Sequence, residues 1–210
     1  MLDFAKRTPQ LQKTAENAIK NPQALTELLE GLRSKKCTIR YANFKAVYHI
    51  SENHPEMLYP RWTFFEDLLK SKNTTFLFYA IHVQANLTKV DEAGKFETIF
   101  DQFYNILDGD ALIPACHVAY VSHKIAKAKP KLTDNITKKL LDFKGTQYKH
   151  RELVQANALR SFSDCFDQIT NKDPIFSLAR ELQKNRSSRA RKEAAEFFKK
   201  HPPTSLGNNA

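Results

Sequence analysis

Apolar residues in this chain return at helical spacing, in short blocks separated by polar turns. From Pro22 to Leu32, the residues Leu25, Leu28, Leu29 and Leu32 fall at i, i+3, i+4 and i+7, which is one face of a helix. Asn21 supplies a capping side chain, and Pro22 is a first-turn proline whose φ already suits a helix. The same grammar returns at Pro60, followed by Phe64, Phe65, Leu68 and Leu69, and at Asp173-Pro174, followed by Ile175, Leu178, Ala179 and Leu182. Phe96, Ile99, Phe100, Phe103, Ile106 and Leu107 form the cleanest stripe, which Gly109 ends. Leu132, Ile136 and Leu140 form a narrower one in a lysine-rich segment that stops near Gly145. Leu11, Ala15, Ala18 and Ile19 predict a capping helix within residues 1–21, and Pro202, Pro203 and Gly207 predict a frayed tail over 201–210.

Each of these five helices is followed by a turn and a second helix. Turns bearing Ser34, Ser71, Asp108 or Asn185 precede helices that open at Ile39, Phe76, Ile113 and Ala190, and a further one opens near Val154. Ile39, Phe76 and Ile113 lie 37 residues apart, and the step to Val154 stretches to 41. The predicted second helices cover roughly 38–51, 74–89, 111–127, 148–168 and 187–200, with the residues four, eight and eleven beyond the first apolar one facing inward. That rule selects Val154, Ala158, Phe162 and Cys165. It also selects Phe76, Ala80 and Leu87 with Gln84 among them, and Asn43 beside Val47 and Ile50. The third helix fits loosely, with Pro114 in its first turn. No period-two alternation occurs, so the expected class is all-α. A period of this length implies stacked helical hairpins, each burying its apolar face on its neighbours.

In these second helices a polar turn leads to an apolar residue, an arginine, a small residue and a later large apolar one. That order resembles the signature of HEAT repeats. Ile39-Arg40 with Val47, and Ala190-Arg191 with Ala194 and Phe198, match it best. The resemblance covers residues 22–200 and implies a right-handed α-solenoid (α-α superhelix, armadillo-like) of about five hairpins. The chain departs from the pattern at Leu77, Pro114 and Gln155, where the family usually carries the arginine that ties adjacent turns together. The middle of the array must then hold mainly by packing.

Charge is distributed unevenly. Residues 1–119 carry 14 Lys or Arg against 14 Asp or Glu, so the net charge of +10 lies entirely beyond them, in 19 basic against 9 acidic residues. A one-sided basic field attracts polyanions and steers acidic partners, although lysines on a helix face also serve simply to keep an array soluble. Lysine is a point charge, and the arginines that would grip phosphate cluster only between Arg186 and Arg191. Tyr120, Phe143 and Tyr148 in the basic half are expected in the core rather than exposed for base stacking. Zinc-finger spacing, RNA-recognition motifs and a clear helix-turn-helix are absent from the sequence.

The composition, 41% hydrophobic with only five glycines, is that of a globular helical protein. Three cysteines, Cys37, Cys116 and Cys165, far apart and without a CxxC, suit a reduced cytoplasmic setting. The first twenty residues lack the apolar core of a signal peptide, and no run of about 18 apolar residues predicts a membrane span. His117 and His123 lie six apart, off the spacing of a helical metal pair, and Cys116 beside His117 points about 100° away from it. Phosphate-cradling glycine loops are missing as well, so neither a metal nor a small-molecule cofactor is expected. Asp101, Asp108 and Asp110 lie near a helix end, where carboxylates serve turns and caps.

HEAT-like alkylpurine DNA glycosylases share this size and basicity, and they act through a cleft aspartate with nearby tryptophans. Here the single tryptophan, Trp62, falls in the neutral half, where it is expected to anchor packing. The sequence therefore points to a non-enzymatic HEAT-like scaffold for a protein partner, an acidic one given the charge, with no catalytic residues. The alternative is a nucleic-acid-binding protein, including a HEAT-like DNA glycosylase. Arg40, Lys45, Lys124, Lys127, Arg160 and Arg191, on second helices off the apolar stripe, are the candidate binding residues.

Overall fold

The computed structural model describes residues 8–203; the beginning of the predicted cap and the end of the predicted tail lie outside them. Within the described residues the chain is all-helical, with no strand. It divides into two compact units, Met1–Ile99 and Phe100–Ala210, and the division falls inside one helix.

In the first unit α1 (Pro9–Lys20), α2 (Pro22–Gly31) and α3 (Cys37–Asn53) pack against one another. Leu11, Ala15 and Ala18 bury the inner face of α1, and Leu25, Leu28 and Leu29 that of α2. Asn21 caps α2 as its sequence position predicts, its Oδ1 accepting from the backbone N–H of Gln23 at 3.0 Å. A short helix α4 (Pro55–Leu58) leads to α5 (Trp62–Leu69), which packs on α6 (Thr74–Leu87), and α6 in turn packs on α3. Trp62 is buried, with Tyr59 edge-on to it at 5.8 Å, and so serves as the expected packing anchor. Every residue of α6 from Phe78 to Leu87 is buried. Such a helix is enclosed on all sides rather than along one stripe. Next, α7 (Lys95–Tyr104) starts on Asp91, a buried carboxylate that accepts from the backbone N–H of Lys95 (2.9 Å) and Phe96 (2.8 Å) and from the Tyr59 hydroxyl (2.6 Å). Burial and that hydrogen bond push the Tyr59 phenol up to about 12.

The second unit contains the end of α7, then α8 (Leu112–Ala128), α9 (Thr133–Leu141), α10 (Glu152–Asp164), α11 (Asp173–Gln183) and α12 (Ser188–Lys200). α10 packs on both α8 and α12. The partners rise together along the chain: Ser161 Oγ accepts from the His123 backbone N–H (2.6 Å), Arg189 Nη2 donates to Asn157 Oδ1 (3.1 Å) and Lys200 Nζ to Asp164 Oδ1 (3.4 Å). The three second helices of this unit are thus parallel neighbours. The ten residues between α9 and α10, which lengthen this hairpin, form a strap. Gly145 turns it at φ +53°, with the Phe143 ring lying where a β-carbon would be. The buried Tyr148 then places its hydroxyl among the carbonyls of Leu107 (3.1 Å), Gly109 and Ala111, and Gln147 Nε2 donates to Gly109 O (3.2 Å).

Polar ties from one hairpin to the next span a narrow range of sequence separation, 32 residues for Tyr59–Asp91, 35 for Asn86–Ser51, 38 for His123–Ser161 and 41 for Tyr148–Leu107. The burial register is less regular. Val154, Ala158, Phe162 and Cys165 are buried as expected, but Ile39 and Ile113 are exposed at 41% and 66%. In α8 the buried residues are Pro114, Ala115, Val118, Ala119, Val121, Ser122, Ile125 and Ala126, so of the row predicted from Ile113 only Val121 faces inward, while Ile113, His117 and Lys124 lie off that face. In α12 Phe197, not Phe198, is fully buried, stacking edge-on with Phe166 at 5.6 Å. Small residues such as Ala115, Ala119, Ala156, Ala158, Ala190 and Ala194 stand in the buried faces of these helices beside the larger Ile125, Leu159, Phe162 and Phe197.

Candidate functional site

Two of the six sequence-selected residues are engaged in their own turns. Arg40 Nη1 donates to the carbonyls of Ser34 (2.7 Å) and Lys35 (2.9 Å), and Arg191 Nη1 to those of Asn185 (2.9 Å) and Arg186 (2.8 Å). In both places the guanidinium closes the turn that precedes its helix. On α6, burial raises the Tyr79 phenol pKa, and the nearby Arg40 charge opposes that shift. Lys45, in the first unit, lies over the ring of Tyr41 at 5.2 Å, one turn back on α3.

The other three meet in the second unit. Tyr120, Lys124 and Lys127 stand at i, i+4 and i+7 on α8, hence on one face, and Ile113 and His117 extend the same row toward the helix start. From α10, the half-buried Arg160 lays its guanidinium 5.4 Å from the centre of the Tyr120 ring. Tyr120 is itself half-buried under that group rather than in the core, where the sequence had placed it. His123 lies beside it, its ring edge-on to Tyr120 at 5.9 Å and its Nδ1 2.8 Å from the Tyr120 carbonyl. Burial lowers the His123 pKa, with Lys124 and Lys127 adding to that and Asp164 opposing it, so the imidazole is neutral at pH 7. Lys127 and Arg160 form no ion pair among the described residues.

At the N-terminal ends of the same helices Cys116, His117, Asn157 and Arg189 come together. Asn157 donates to the Leu153 carbonyl and accepts from Arg189. Burial pushes Cys116 up to about 11, which keeps it a thiol, and burial with the Arg189 charge lowers His117 to about 4. A protonated thiol and a neutral imidazole on adjacent, divergent positions make no nucleophile and base. Cys165 is likewise pushed up to about 11 by burial. Among the described residues no three His, Cys, Asp or Glu side chains are grouped to hold a metal, and no helix is long and apolar enough to cross a membrane.

Sequence reasoning missed Tyr120, Asn157 and Arg189 as parts of this face. Arg160 and Tyr120 are brought together by the registration of α10 against α8, and the 41-residue step to Val154 is the only trace of it in the sequence.

A scan against protein-family models finds no match, and no curated protein is similar in sequence. Among solved structures, the crystal structure of an engineered protein is similar to this chain at 17% identity, over 90% of this chain and 87% of that one, with a TM-score of 0.49.

Proposed function

We propose that this chain is a non-enzymatic HEAT-like scaffold, a right-handed array of about five hairpins, that binds an acidic protein partner. The binding surface is the outer face of α8 and α10 in the second unit. The observation that carries this reading is the convergence of Lys124, Lys127 and Arg160 on that face, in the part of the chain that holds its net positive charge. Rigid parallel helices supply the platform, and charge sets the rate and the salt sensitivity of binding more than its strength. Two carboxylates on α10, Glu152 and Asp164, interrupt the positive charge and disfavour a continuous phosphate backbone.

The test is capture from lysate, at physiological salt, of partners of the wild type and of a triple charge reversal, Lys124→Glu, Lys127→Glu and Arg160→Glu. A control carries Lys138→Glu and Lys144→Glu, away from this face. The proposal expects acidic proteins that depend on the first set and not on the second. In parallel, duplex and single-stranded DNA and RNA are titrated at low and physiological salt. Micromolar nucleic-acid binding with a steep salt slope would replace this reading with the nucleic-acid one.

A further inference from the structure

Within the proposed protein-binding role, on which this inference rests, the geometry points to a specific ligand: a short extended peptide with carboxylates at one end and an apolar side chain at the other. Arg160 reads a carboxylate, Lys124 and Lys127 flank it, and Ile113 receives the apolar residue.

Arg160 carries the first half of the inference. Its guanidinium carbon lies 5.4 Å from the centre of the Tyr120 ring, a contact that holds its N–H donors on this face. Those donors meet no carboxylate among the described residues, although Asp164 lies one turn along the same helix, where it pairs with Lys200 instead. A half-buried guanidinium with no carboxylate partner among the described residues suits a planar carboxylate in two parallel hydrogen bonds, which a lysine in the same place could not form. Lys124 and Lys127 follow Tyr120 along the face of α8, so successive acidic side chains of a bound strand would meet positive charge in register.

Ile113 carries the second half. Among the described residues it is the most exposed large apolar side chain, and it lies on the same row of α8 as Tyr120, Lys124 and Lys127. The half-buried Leu112 on α8 and Leu153 on α10 belong to the same end of the unit. From residue 113 to 127 the helix advances roughly 21 Å, at about 1.5 Å per residue. An extended strand covers that distance in about six or seven residues. Nucleic acid is the poorer occupant: the ring face of Tyr120 that a base would stack on is taken by Arg160, and an exposed isoleucine offers nothing to a phosphate track.

The experiment is fluorescence anisotropy with four labelled probes: a peptide of one leucine, one glycine and five glutamates, its reversed sequence, an all-glutamate heptapeptide, and a single-stranded oligothymidylate of matched charge. The proteins are the full chain and its variants, each checked by circular dichroism for retained helix. One leucine-bearing orientation should bind more tightly than the all-glutamate peptide, and the oligothymidylate most weakly. Arg160→Gln and Arg160→Lys should each lose roughly tenfold or more on both kinds of acidic peptide, because the lost contact is a charged, paired hydrogen bond. Ile113→Asp should weaken the leucine-bearing peptide and bring it level with the all-glutamate one. Lys192→Gln on α12 should change affinity by less than about twofold. Acidic-peptide binding that survives Arg160→Gln but is lost on reversal of Lys124 and Lys127 overturns the Arg160 assignment and leaves the broader scaffold reading standing. Failure of the wild type to bind any acidic probe, or tighter binding of oligothymidylate, overturns both.

Discussion

Arg40 and Arg191 make the same pair of hydrogen bonds in different surroundings, so replacing each by methionine separates the worth of the geometry from that of its burial. Methionine keeps most of the aliphatic stem and removes both donors. Arg40 is half-buried, and its bond to the Ser34 carbonyl is partly sheltered while that to Lys35 is exposed, so its loss strands one turn carbonyl that water reaches poorly. Hydrogen bonds from a charged donor contribute about 1.5–3 kcal/mol each when sheltered, so about 2 kcal/mol is the expected cost of Arg40→Met, with one of its two bonds partly sheltered. Arg191 is exposed, so water replaces it, and Arg191→Met should cost about 0.5 kcal/mol. Urea titration resolves the two. Trp62, the only tryptophan, sits in the first unit and reports its unfolding by fluorescence, while circular dichroism follows the whole chain. Arg40→Met should move the fluorescence midpoint, and Arg191→Met should leave it in place. Equal losses at the two positions, or a larger one for Arg191, would refute the claim that burial rather than hydrogen-bond geometry sets the value of this arginine.

Three further outcomes follow from the same structure. Gly145→Ala forces a side chain into a left-handed turn against Phe143, and should destabilise the second unit by more than about 1 kcal/mol, read as a lower melting temperature by circular dichroism. Gln84 is fully buried with Oε1 unpartnered and only a long 3.5 Å bond from its amide to the Trp62 carbonyl, so Gln84→Met should be neutral or stabilising in urea, whereas an ordinary core truncation would be costly. His117 is held neutral down to about pH 4 when folded but protonates near 6.5 when unfolded. The unfolded state therefore takes up the proton first, and stability should fall by up to about 3 kcal/mol as pH drops from 6.5 to 4, with His117→Gln flattening that part of the profile.

The sequence spacing foretold where the helices lie because each apolar block ends at a residue with its own stop signal, such as Asn21 with Pro22 or Gly109. It foretold the buried face only where that face is a stripe. In α10 the large residues Val154 and Phe162 mark it; in α6 there is no stripe to read, since the helix is enclosed from Phe78 to Leu87. In α8 the buried face runs from Pro114 and Ala115 rather than from Ile113, so the apolar Ile113 drew the register to the wrong side. Of the candidate site, the positive charge was readable from composition, but the Arg160–Tyr120 pairing was not. It depends on how far α10 slides along α8, and the residues between α9 and α10 that set this slide are held by Tyr148 on the preceding turn.

The narrow span of the inter-hairpin ties bears on how the chain acquires its structure. A bond such as Asn86–Ser51 or His201–Ser163 closes a loop of 35 or 38 residues, short enough to form early and at modest entropic cost. Nothing in such a tie requires the far end of the polypeptide to exist yet. A ribosome releasing this chain would expose one hairpin at a time, and each could dock on its predecessor while the next was still being made, so that native structure accumulates during synthesis rather than waiting for its completion.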